Sequence, residues 1–155
     1  MNYQKLLIPA LLLIISRLIG FHYPIENLSW YKQLNTSIQP PGYIFGIVWT
    51  ILYTLIGLVW YDQIQTNQLI SSVLIPLLLI TSYVFTPFFV NQNFLWSNAM
   101  ILLTLLFSGM LLVYLLLQGD SNALLILPLI VWLIQALIFQ AQIDGQIITR
   151  GANQI

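Results

Sequence analysis

Eight charged side chains are spread over 155 residues, and their spacing governs what this chain can become. The uncharged stretches run 29 residues between Lys32 and Asp62, 57 between Asp62 and Asp120, and 23 between Asp120 and Asp144. About 20 consecutive apolar residues carry a helix across a bilayer core. The longest stretch therefore holds two helices. Its natural break is Asn91-Gln92-Asn93, where three amides in a row would go unsatisfied in lipid. A soluble domain carries roughly a quarter charged residues to coat its surface; here the share is 5%, against 59% apolar, which excludes the soluble globular class. Four Lys and Arg leave no basic patch to neutralise phosphates, so nucleic acid is excluded as a partner, and the lipid bilayer is the expected one.

The pattern predicts an all-α integral membrane protein, multi-pass, built as a bundle of five transmembrane helices in a single domain over residues 1–155. The helices are expected at about 3–21, 43–63, 69–91, 95–118 and 123–145, with a long loop over 22–42. A β-barrel would alternate apolar and polar residues along strands of about ten; Leu111-Leu112-Val113-Tyr114-Leu115-Leu116-Leu117 does not. No small-x-small cleavage site follows Gly20, so the first segment reads as a retained span rather than a signal peptide. Three of the connections are short, which makes neighbouring helices antiparallel. The loop at 22–42 is the exception. Ending in Pro40-Pro41, it is expected to form a stiff, aromatic-bearing lid over an apolar cavity.

Polar chemistry is scarce. There is no cysteine and one histidine, His22, so neither a cysteine metal site nor a two-histidine site can form within one chain. Glu26, Asp62, Asp120 and Asp144 all fall at helix ends or in loops, which argues against a proton relay of buried acids. Nucleophile elbows, phosphate loops and zinc-helix motifs are absent. Aromatic and amide residues are concentrated instead. Trp49, Tyr53, Ile56 and Trp60 form one stripe on the second helix, fit either for packing or for a ligand. On the fifth helix Trp132, Gln135, Phe139 and Gln142 share a face from which Gln140 points away. Such amides serve either as interhelical hydrogen bonds or as polar contacts in an aromatic pocket. Ser97, Thr104 and Ser108 read as a close-packing seam, and Gly42 with Gly46 matches GxxxG, for packing or dimerisation. Arg17, near the end of the first helix, reads as an interface anchor.

Trp30-Tyr31, then Pro40-Pro41, then Gly46-x-x-Trp49-x-x-x-Tyr53 resembles the signature of the TspO/MBR family, the tryptophan-rich sensory proteins related to the translocator protein (peripheral-type benzodiazepine receptor). Pro128-x-x-x-Trp132 and Trp96 resemble the family's fifth- and fourth-helix positions. The stretch from Asn35 to Gln39 is shorter than the family's and lacks its tryptophan, and Ser82-Tyr83-Val84-Phe85 stands where the family has Asn-Trp-x-Trp. The resemblance implies a five-helix bundle, often a homodimer. It also implies a sensory or transport role, through a small apolar ligand such as a porphyrin, a haem-like tetrapyrrole or a sterol, bound beneath the first loop. Its implied ligand-binding residues are Trp30, Tyr31, Pro40, Pro41, Trp49, Tyr53, Tyr83, Trp132 and Gln135. No cofactor is required; porphyrin or haem enters as ligand, and no metal site is expected. Two alternatives stand beside this reading. One is a light-dependent porphyrin-degrading enzyme with Trp49 and Trp132 as catalytic candidates. The other is a structural or carrier membrane protein with no tetrapyrrole ligand.

Overall fold

The computed structural model describes residues 3–34, 36 and 38–152; Asn35, Ser37 and the side chains of residues 3, 4, 26 and 146–152 lie outside that description. Among the described residues there are six α-helices and no strand. Four are long and apolar enough to cross a membrane: α3 (Gly42–Gln65), α4 (Leu69–Val90), α5 (Phe94–Leu117) and α6 (Ala123–Ala152). The first helix, α1 (Leu7–His22), has 16 residues and is preceded by a 3-10 turn at Tyr3–Leu6. The expected count of five helices is corrected by α2 (Ser29–Lys32), a single helical turn inside the long loop. It went unforeseen because four residues are too few for any periodicity to show. The last helix also runs past Gly145 to Ala152. Four long apolar helices make this an integral multi-pass membrane protein.

The three tight turns use one device. Asn67, Gln92 and Gly119 all take a left-handed backbone, with φ of 54°, 58° and 67°. Each is followed by an N–H that reaches five residues back: Gln68 to Gln63, Asn93 to Phe88, and Asp120 to Leu115. The left-handed residue itself bonds three residues back, as in Asn67 to Ile64. These paired bonds satisfy the last carbonyls of α3, α4 and α5 and reverse the chain within a few residues. Glycine suits the third turn because a left-handed backbone strains any residue with a Cβ.

Helices α4, α5 and α6 pack in sequence, α1 lies on α3, and α3 closes the bundle against α4 and α6. The approach of α1 to α3 is set by Gly57: a Cβ there would stand 2.7 Å from the Cα of Pro9. Gly46 of the GxxxG motif has nothing within 4 Å, so that glycine makes no such approach within the chain. Ser97, Thr104 and Ser108 are buried, and Thr104 donates to Thr81 Oγ1 of α4 at 2.8 Å. Proline stands inside α4 (Pro76, Pro87) and α6 (Pro128), where each removes one bond of the helical ladder.

The bundle has two unlike ends. At one, Gln63 (2% exposed) donates to Asp120 at 2.7 Å and accepts from Ser71 at 2.7 Å, while Tyr114 donates to Gln68 at 2.6 Å. Lys5 pairs with Asp62 at 3.0 Å on the same end. The other end is aromatic and carries the loop.

Candidate functional site

Phe45 lines two chambers at the loop end, and a third, more open hollow of about 440 Å³ lies outside them among Tyr31, Lys32, Pro40, Pro41 and Tyr43. The larger is a cleft of about 590 Å³ between α1 and α3, within the range of small-ligand sites. Its aromatic wall is a stack of three rings. Trp49 lies on Tyr53 with centroids 5.0 Å apart and planes at 21°, and Tyr53 lies on Tyr83 at 4.7 Å and 30°. The first contact follows from the i, i+4 spacing on α3, which puts one ring over the next. The phenols are tied off elsewhere: Tyr53 donates to Ser82 Oγ at 3.3 Å and Tyr83 to the Leu12 carbonyl at 2.9 Å. Hydrogen bonding fixes the two phenol planes; Tyr53, 3% exposed, is covered by its two neighbours, so the aromatic surface turned to the cleft belongs to the half-buried Trp49 and Tyr83. Arg17 lines the same cleft and is exposed. Among the described residues the one ion pair is Lys5–Asp62, at the opposite end of the bundle, so Arg17 brings a positive charge to the cleft.

The smaller chamber holds about 10 Å³, one water-sized body, and is walled by Phe45, Phe85, Phe89, Trp132, Phe139 and Gln140. Its rings fill it. Phe45 meets Trp132 edge-on at 5.7 Å, and Phe85 stacks on Phe89 at 5.3 Å. Ile38 and Pro40 of the loop roof it, and Gln135, exposed on α6, stands at its rim.

The loop reaches this end through α2. Trp30 meets Phe89 and Phe94 edge-on at 5.3 and 5.6 Å, which seats the loop on the turn between α4 and α5. Tyr31 is 3% exposed and is ringed by Phe45, Phe89 and Phe139 at 6.1–6.3 Å. Its hydroxyl donates to the Pro40 carbonyl, and Gln39 donates back to the Tyr31 carbonyl at 2.7 Å. Burial pushes the Tyr31 phenol above its ordinary range, so it stays a neutral donor. The pair of bonds draws the loop into a closed strap over the smaller chamber.

The sequence-derived site residues thus fall into three groups. Trp49, Tyr53 and Tyr83 stand together in the cleft; Trp132, Pro40 and Gln135 line the smaller chamber; Trp30 and Tyr31 form the plug beneath the strap. Pro41 is exposed at the N-cap of α3. Trp49 and Trp132 line different chambers, with Phe45 in the wall of each. Gln140, placed by helical offset away from the Trp132 face, is 1% exposed, while Gln135 is exposed. The buried side of α6 is wide because it packs on both α5 and α3, and it takes in Leu133 and Gln140 as well as Trp132 and Phe139. Sequence reasoning also passed over Phe45, whose one signal is its place beside Gly46 in the motif. Among the described residues no three His, Cys, Asp or Glu gather as a metal site.

Compared with protein families, the chain matches the TspO/MBR family over residues 6–145. No curated protein and no solved structure matches it.

Proposed function

The chain belongs to the TspO/MBR family, and we propose that it is a five-pass receptor that binds a tetrapyrrole in the cleft beside Trp49, in a sensory or transport role. The first pass is Tyr3–His22. Its four-residue 3-10 turn and 16-residue helix together rise about 32 Å, enough for a hydrocarbon core of about 30 Å. The observation that carries the ligand reading is the stack of Trp49, Tyr53 and Tyr83 beside Arg17. A flat apolar macrocycle gains by lying on fixed aromatic faces, and its propionates meet the guanidinium by charge-assisted hydrogen bonds. A sterol would use the same apolar wall without using Arg17, which is why the tetrapyrrole is the first choice. A homodimer stays compatible with the reading, since Gly46 is not spent on packing inside the chain.

A ligand that binds only the folded state raises its stability by mass action. Protoporphyrin IX added to detergent-purified protein should therefore raise the thermal midpoint, and less so in Arg17→Gln. An unchanged midpoint in the wild type would reject the reading in favour of a membrane protein without a tetrapyrrole ligand. The stacked indole of Trp49 also favours a second reading, the light-dependent breakdown of the bound porphyrin. Illumination separates the two. Loss of the porphyrin absorbance band with formation of a new product, abolished in Trp49→Phe, would mark an enzyme; a stable band marks a binder.

A further inference from the structure

The cleft between α1 and α3 is a wedge. The two helices run antiparallel: Lys5 pairs with Asp62, and Pro9 then meets Gly57, where a Cβ would stand 2.7 Å from the proline Cα. Gly20 and Gly46 both line the cleft. Each lies 11 positions from the Pro9–Gly57 contact toward the loop end, about 16 Å along its helix. A Cβ built on either would meet nothing within 4 Å. The helices therefore touch at one height and stand apart at the other. Helix α4 contributes Tyr83 and Thr86 to the lining, while Gly20, Phe21, Tyr43, Gly46 and Ile47 line it and are exposed. On a membrane-spanning helix an exposed side chain meets lipid, so the wedge opens sideways into the bilayer. A void against lipid forfeits dispersion contacts, and hydrocarbon fills it. Arg17 lines the same gap, about 7 Å short of the end of α1, a depth from which its side chain reaches the headgroups. Among the described residues no carboxylate lines the cleft, and the one ion pair is Lys5–Asp62 at the far end.

We propose that the wedge is a lipid site, which takes an acyl chain of a net-anionic phospholipid between α1 and α3 and its phosphate on Arg17. The chain enters from the bilayer through the gap at Gly20 and Gly46 and lies against Trp49. The guanidinium fork matches two phosphate oxygens. A net negative charge is preferred because the cleft offers no carboxylate to the ammonium of a zwitterionic headgroup. The inference uses the cleft of the proposed function but does not rest on tetrapyrrole binding; a tetrapyrrole bound beside Trp49 displaces the lipid.

The test reads lipid contact through Trp49 with no tetrapyrrole present. The full chain is reconstituted in phosphatidylcholine vesicles carrying a rising fraction of phosphatidylglycerol brominated on its acyl chains. Parallel vesicles carry brominated phosphatidylcholine instead. Bromine quenches a tryptophan that it touches. Lipid around the bundle gives a quench that follows the bulk fraction of either probe, and a site adds a part that saturates at low fraction. The expected result is a saturating part that is half-complete at a fraction about fivefold lower for phosphatidylglycerol, the size of one charge contact at a membrane surface. Arg17→Gln should remove that preference, and Trp49→Phe should remove the saturating part itself. Gly46→Leu, at a position where a Cβ meets open space, fills the gap and should remove it too, with Trp49 still in place. No saturating part, equal half-points for the two headgroups, or a preference that survives Arg17→Gln would overturn the proposal. So would a saturating part that survives Trp49→Phe or Gly46→Leu. Protoporphyrin IX binding is measured separately, so either result can fail while the other stands.

Discussion

The two ends of the bundle solve the same problem in opposite ways. At the end holding the α3–α4 and α5–α6 turns, polar side chains from three helices and the two turns satisfy one another: Gln63 with Asp120 and Ser71, and Tyr114 with Gln68. At the loop end, helices are spaced by rings that meet edge to face, and polar atoms such as Trp30 Nε1 and Gln140 Oε1 are buried without partners among the described residues. A satisfied polar network in a low dielectric is rigid and specific. Aromatic contacts are non-directional enough to shift. The comparison teaches that the first end holds the bundle in register, while the second holds open volume beneath a closed strap.

Gly57 joins the two halves, because α1 reaches α3 through it. Gly57→Leu should remove that approach and weaken both ends together, by about 3 kcal/mol or more. The check is a collapse of the folded, monodisperse yield in detergent alongside lost tetrapyrrole binding. Gln63→Leu breaks the comparison from one side only. It strands Asp120 and Ser71 and should lower stability by about 2 kcal/mol, with tetrapyrrole affinity unchanged within a factor of two. A matching loss of affinity would show that the ends are not independent.

Tyr31 sharpens the comparison at the loop end through pH. Its folded-state phenol is raised by burial, while in the unfolded chain it ionises near the ordinary value of about 10. Above that pH the unfolded state holds fewer protons than the folded one, so this stabilising contribution is complete below about pH 10 and is lost as pH rises beyond it. Thermal midpoints across pH 9–11 should fall in the wild type and fall less steeply in Tyr31→Phe. That variant should also lose about 1 kcal/mol at neutral pH, because the strap loses its bond to the Pro40 carbonyl.

The fold was legible where the constraint is coarse. Uncharged runs bounded by Asp62, Asp120 and Asn91-Gln92-Asn93 place the long helices within a few residues, apart from the end of α6, because lipid tolerates neither charge nor open backbone. What stayed hidden depends on which neighbours a helix meets. An offset along α6 puts Gln135 on the Trp132 face, yet α6 packs on two helices and buries Gln140 instead. Likewise, the motif around Trp49 and the proline–tryptophan pair ending in Trp132 suggest one pocket, and only the fold shows Phe45 lining two. The one-turn helix at Ser29–Lys32 is set by its aromatic contacts and has no sequence period to reveal it.

The central claim is that the cleft beside Trp49, rather than the chamber beside Trp132, takes the tetrapyrrole. Protoporphyrin IX titrated into the purified protein, with tryptophan fluorescence followed in the wild type, Trp49→Phe and Trp132→Phe, tests it directly. The account expects saturable quenching in the wild type, most of it lost in Trp49→Phe and most of it kept in Trp132→Phe. Quenching that never saturates, or that Trp132→Phe removes while Trp49→Phe leaves intact, would contradict it.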